Sequence, residues 1–432
     1  MAEMVRLNED LLAIRLGLIV RDRAPVLVAE LFRGWDPVGN PAHVPLSFLG
    51  VRKDGTDGPL FDLSVDPPDR LWTLFKAAGD HAEDSELLWL QIADGAEILA
   101  AYPWEAAFSE VAGRTIVRVP NFIRDPFLPD DPRPFAICAA SPDPGDWAAL
   151  RDRTEGVLST LTGTRVRQAH LFVGPNADWA EDLERSFPSL QVRLDRAPFL
   201  PETRSVTESP WLAQMVRALG PTCARAVHFV CPCVASELNG AIALPETARP
   251  SGSATLVGTR ELAAFLDRLD CPLAGFSPLV RDDSDEGARL LVNALSWLRP
   301  GPIVAEFGGA DALRPVYAAL FDHPDLWAQP NPETVISAHP KLVAAYEGSV
   351  RTVSAVARRE LSLAEPSRQG APGLDLGERA PGFSLSDEPR WLTRKLDQLS
   401  SARPRSPTQT ARDRGARNAL DFVSRLTAER DR

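Results

Sequence analysis

Apolar residues come in short runs along most of the chain, each closed by Pro, Gly or charged residues. Leu11–Val20 and Ala24–Leu31 flank the polar Arg21-Asp22-Arg23, a pattern that predicts a β-hairpin. Residues 59–75 read as strand or loop, leading into a short helix over Arg70–Ala78, and Ser85–Ile92 with Ala96–Leu99 predict another pair of strands. From Pro103 the texture changes. Phe135–Ala140 is a continuous apolar run of the kind that forms a buried strand of a parallel sheet. Strands at Gln168–Val173, Leu190–Leu194, Ala226–Cys231, Leu273–Ser277 and Pro302–Phe307 then alternate with helices. Those helices are at Asp146–Thr162, Ala177–Arg185, Pro210–Leu219, Arg260–Leu269, Gly287–Leu298 and Ala310–Phe321. The alternation predicts an α/β fold: a mainly parallel sheet with helices on both faces, preceded by N-terminal β-hairpins.

Pro332–Leu363 predicts one or two helices broken near His339-Pro340. Residues 1–362 are therefore expected to form one domain. The Pro-, Gly- and Ser-rich stretch 363–389 reads as a flexible linker. Residues 390–432 read as a tail with two short helical patterns, Arg390–Leu399 and Arg414–Arg430, the second amphipathic at Leu420, Phe422, Val423 and Leu426. Such a helix on a tether is either loosely docked or a partner-binding segment.

Composition narrows the function classes. The 432 residues are 44% hydrophobic and 25% charged, an ordinary globular balance, and the net charge is -12. That charge argues against nucleic-acid binding, which needs clustered cations. The basic residues are nearly all Arg beside abundant Ala and Pro, which suggests a GC-rich bacterial source. Cys138, Cys223, Cys231, Cys233 and Cys271 are an odd number of thiols behind an N-terminus without a secretory pattern, so a reducing cytoplasm is expected. No run reaches the roughly 18 apolar residues of a membrane-spanning helix.

In parallel α/β sheets the working groups gather at the carboxyl ends of the strands. Four features in order along this chain resemble the CHAT family of caspase-like peptidases. They are Pro103-Trp104-Glu105; a strand Thr115–Val119 carrying Arg118; the strand Phe135–Ala140 ending in Ser141-Pro142; and His228-Phe229-Val230-Cys231-Pro232-Cys233, followed by the turn-like Asn239-Gly240-Ala241-Ile242. The resemblance covers about residues 10–325 and implies a caspase-like sheet. It also implies a thiol–imidazole dyad, with His at the end of one strand and Cys at the end of the next. Aligned on this chain, those positions are Pro232 and Leu279, or Pro278 if the register slips by one. None of these side chains carries a proton to exchange, so the dyad positions read as degenerate.

Other residues could in principle supply substitute chemistry. Cys233 is the thiol nearest the lost base position, with His228 or His170 as candidate bases and Cys271 as a further thiol. His228 lies five residues before Cys233, about 16 Å along an extended strand. It reads as structural, and Cys233 as unreactive or merely exposed. Cys138 reads as core. Cys223 falls in a loop, and Cys271 at the amino end of its strand. Cys231-Pro232-Cys233 is tighter than the usual zinc knuckle, so no metal and no cofactor are expected. Ser277 lacks a nucleophile elbow and a His placed in sequence to serve it. Gly308-Gly309 lacks the rest of a phosphate loop, and Asp282–Glu286 is an acidic run at a helix start. Trp104 reads as packing.

The resemblance thus implies a catalytically inactive, pseudo-caspase component of a bacterial conflict or signalling system, meeting a protein partner, with the 390–432 tail a candidate contact. Neither nucleic acid nor membrane is expected as a partner. The alternative is a cysteine endopeptidase with a displaced nucleophile, Cys233 with His228.

Overall fold

The structure is a computed structural model. Its described residues are 11–34, 36–52, 59–83, 86–120, 133–196, 209–220, 223–236, 239–246, 253–279, 284–299, 301–321 and 330–339. The expected linker and tail lie outside them. The chain is α/β. Among the described residues a thirteen-stranded, mostly parallel sheet is flanked by helices, with a separate three-stranded sheet beside it.

The N-terminal hairpin forms as expected from β1 (Leu12–Arg21) and β2 (Ala24–Arg33). Asp22 and Arg23 take φ of 52° and 65°, the left-handed pair whose twist suits a two-residue hairpin turn. The short strands β3 (Asp36–Pro37) and β4 (Ala42–Pro45) add to β2. Helix α1 (Asp69–His81) buries Leu71, Leu74, Phe75 and Ala78 on one face, at helical spacing. After β5 (Leu88–Ile92) the expected strand at Ala96–Leu99 is instead a 3₁₀ turn, Glu97–Ala101. Its Leu99 carbonyl accepts from the Trp104 indole at 2.6 Å, so this apolar run feeds a tertiary contact and not a ladder. Helix α2 (Trp104–Ala112) and β6 (Ile116–Arg118) complete this half.

The second half follows the predicted alternation. In order come β7 (Phe135–Ala139), α3 (Trp147–Thr162), β8 (Ala169–Val173), α4 (Trp179–Ser186), β9 (Val192–Arg196), α5 (Pro210–Leu219) and β10 (Ala226–Cys231). Next are the small-sheet strands β11 (Cys233–Ser236), β12 (Asn239–Pro245) and β13 (Ala254–Gly258), then α6 (Thr259–Arg268), β14 (Leu273–Pro278) and α7 (Ser284–Ser296). The described elements close with β15 (Ile303–Glu306), α8 (Ala310–Phe321) and β16 (Thr334–Ser337). Two expectations are corrected. Asn239–Leu244 is the middle strand of the small sheet, not a turn. Thr334–Ser337, expected helical, pairs antiparallel with β15. Short apolar runs do not reveal by periodicity which partner will claim them.

The large sheet runs β3-β2-β1-β5-β6-β16-β15-β14-β10-β7-β8-β9. Strands β15, β14, β10, β7, β8 and β9 are mutually parallel, as are β1, β5, β6 and β16, and the antiparallel β15–β16 pair joins these opposed sets. Strands β5, β7, β10, β14 and β15 are buried throughout, as continuous apolar runs between two helical layers should be. Helices α3, α4 and α8 share one core with one face of the sheet, and α5, α6 and α7 share another core with the opposite face. The chain leaves β7 and β10 toward opposite faces, so the reversal of strand order lies between these two strands. No helix among the described residues is long and apolar enough to cross a membrane.

Candidate functional site

The carboxyl ends of β10 and β14 lie side by side, because Cys231 stands in register with Pro278. The Leu279 amide donates to the Cys231 carbonyl at 3.2 Å, which places Leu279 directly beside the Cys231-Pro232 step. Pro232 is buried, and Leu279 is only 2% exposed within the core shared with α3 and α8. The two positions that the resemblance pairs are therefore neighbours at one sheet edge, and both carry hydrocarbon.

The substitute thiols sit elsewhere. Cys138, Cys231, Cys233 and Cys271 all belong to the core under α5–α7. Cys233 is 1% exposed, so of the two alternatives, unreactive or merely exposed, the structure rules out the second. Burial pushes the Cys138 and Cys271 thiols up to about 12, and raises Cys231, which also hydrogen-bonds Cys233. Thiols held this way stay protonated and unreactive near neutral pH. Cys223 is half-buried, at a φ of 58°. Among the described residues no cluster of three or more His, Cys, Asp or Glu side chains is arranged to hold a metal ion.

His228 faces away from these thiols. Alternation along β10 sends Val227, Phe229 and Cys231 to the α5–α7 face and His228 to the α8 face. There its Nδ1 lies 2.5 Å from the Tyr317 hydroxyl and its Nε2 2.7 Å from Ser277 Oγ. Ser277 therefore does have a histidine, contrary to the sequence expectation. Parallel pairing sets His228 opposite Gly275, two residues before Ser277 on the same face. The glycine is the local signal for this contact. A β-carbon there would stand 2.2 Å from His228 Nδ1 and 2.3 Å from the Tyr317 hydroxyl. His228 and Ser277 are both 0% exposed, and burial pushes the imidazole down to about 3. A neutral imidazole offers one donor and one acceptor, which the two hydroxyls complement in either tautomer.

His170, the other candidate base, lies on β8, two strands from β10, with its Nδ1 3.5 Å from Asp195 Oδ2 of β9. Burial lowers its pKa more than Asp195 raises it.

Other sequence candidates resolve into internal contacts. Glu105, 1% exposed, holds Arg118 in a two-pronged pair of 2.7 and 3.1 Å, and Arg118 also donates to the Ala100 carbonyl at 3.1 Å. Two of the four family-like features thus meet in one buried ion pair. At Gly308-Gly309 the helix N-terminus faces the protein's own carboxylate. Glu306 Oε2 accepts from the Gly309 amide at 2.6 Å, and both Glu306 oxygens are 2.8 Å from Arg153. In the acidic run, Asp282 and Asp283 lie outside the described residues. Glu286 accepts the Leu60 and Phe61 amides at 2.7 and 3.0 Å. Trp104 is fully buried, as expected.

A shallow, open cleft lies at the carboxyl ends of β7 and β8, walled by Ser141, Asn176, Trp147, Trp179, Trp211 and Pro245. Only the strand ends were legible beforehand, since its indoles come from three different helices. The chain matches no protein-family model and no curated protein.

Proposed function

We propose that this chain is a catalytically inactive CHAT-like, caspase-like protein. On this reading it acts through protein contacts as a regulatory or recruiting component of a bacterial conflict or signalling system, in a reducing cytoplasm. One observation carries the proposal: Pro232 and Leu279 stand side by side at the carboxyl edge of β10 and β14, both buried, where a thiol–imidazole pair would be needed. The five unpaired cysteines fit the compartment.

The alternative, a cysteine endopeptidase using Cys233 and His228, finds little support. The thiol faces one core, and the imidazole is committed to Ser277 and Tyr317 on the other face. The deciding experiment is labelling of the full chain with an active-site-directed cysteine-peptidase probe. We expect no adduct at Cys233 and no change on Cys233→Ala. Labelling at Cys233 that this substitution abolishes would sink the non-catalytic reading. Capture from the native host then identifies the partner, and loss of capture on deleting residues 390–432 assigns the contact to the tail.

A further inference from the structure

Arg289, on the second turn of α7, is 6% exposed, and its Nε is sealed from solvent with no hydrogen-bond partner among the described residues. A buried guanidinium in this condition is costly, and native structures rarely leave one. Its close partner is a ring: the guanidinium carbon lies 4.1 Å from the Phe307 centroid, at the carboxyl end of β15. Three carboxylates are near enough to act on it electrostatically, those of Asp285, Glu105 and Glu286. Two are already committed. Both Glu105 oxygens are held by Arg118, and both Glu286 oxygens by the Leu60 and Phe61 amides. The third, Asp285, is exposed. The place matters as well: Phe307 and the first turns of α7 lie at the carboxyl edge of the parallel strands, where such sheets receive ligands.

We propose that Arg289, laid on Phe307, is a recognition site for a single carboxylate, supplied by an Asp or Glu side chain or a chain terminus of a bound acidic peptide. A guanidinium held over an aromatic ring presents a planar fork matched to a planar carboxylate. The three acidic neighbours make a doubly charged phosphate a poorer match. The site stands independently of whether the chain is catalytic, so failure of the peptidase-probe result leaves it untouched.

The test is the thermal unfolding midpoint of the full chain. Sodium acetate, and separately acetyl-Gly-Glu-Gly-amide, are titrated against sodium chloride at equal ionic strength. The Gln version of the peptide and inorganic phosphate serve as further arms. Acetate and the Glu peptide should each raise the midpoint in a saturable way, while chloride and the Gln peptide do not. Arg289→Met should melt at or above the unsubstituted protein, because it removes an unsatisfied charge, and should not respond to acetate. A midpoint for Arg289→Met lowered by several degrees, or an equal acetate response in it, would overturn the proposal. A larger response to phosphate than to acetate would overturn the carboxylate assignment. Arg289→Lys, which keeps the charge but loses the fork, is the second variant. Its half-saturating acetate concentration should rise at least tenfold, and an unchanged value would again overturn the site.

Discussion

A β-carbon at position 275 has nowhere to go between His228 and Tyr317, and both neighbours are held by packing as well as by their mutual contact. Gly275→Ala is therefore expected to cost about 3 kcal/mol, the scale of overpacking in a close-packed core. A urea midpoint unchanged within error would show that the imidazole has room to move. The same imidazole makes a prediction in pH. Burial holds it neutral down to about 3, whereas in the unfolded chain it takes a proton near its ordinary value of about 6.5. Between those values the unfolded state binds one more proton than the folded state. Stability from this group is thus complete above the unfolded value and is lost as pH falls toward the folded one, by about 1.4 kcal/mol per pH unit. His228→Gln removes that dependence. The stability gap between the two proteins should narrow as urea melts move from pH 7 to pH 4, and a constant gap would refute the assignment.

Elements meet through a few buried polar pairs, and the strongest test concerns α2 and β6. Glu105 and Arg118 are 1% and 3% exposed, so removing one partner strands the other as a buried charge. Glu105→Gln or Arg118→Met alone should cost about 3–5 kcal/mol, and Glu105→Leu with Arg118→Met should cost much less than the sum. Additive losses in denaturant melts would mean that the pair is not coupled. Close backbone packing joins other elements. At Gly240 a β-carbon would lie 2.1 Å from the Gly287 carbonyl and 2.4 Å from the Leu291 amide, so α7 rests directly on β12. The Asn239-Gly240 pair looks like a turn in sequence, yet its glycine serves this contact inside a strand.

At the scale of the molecule the five thiols report on folding. Cys223 is half-buried, while Cys138, Cys231, Cys233 and Cys271 are buried in the same core. A thiol reagent at pH 7.5 should modify one cysteine quickly and the other four only at the rate of unfolding, and two or more fast sites in the native protein would contradict the burial described. The same core shows how far sequence reaches. The continuous apolar runs at β7, β10, β14 and β15 and the helical patterns between them were enough for an α/β fold with a buried parallel sheet, since a strand covered on both faces has no polar face to alternate. Pro232 and Leu279 were legible as residues that carry no proton chemistry, because that is a property of the side chains themselves. What only tertiary structure decided was partnership: β16 beside β15, Ser277 beside His228, Glu105 with Arg118, and the Arg289 guanidinium over the Phe307 ring. Those pairings depend on strand register and on which helix covers which face, and both are set by the packing of segments far apart in the chain. Local periodicity carries no record of them.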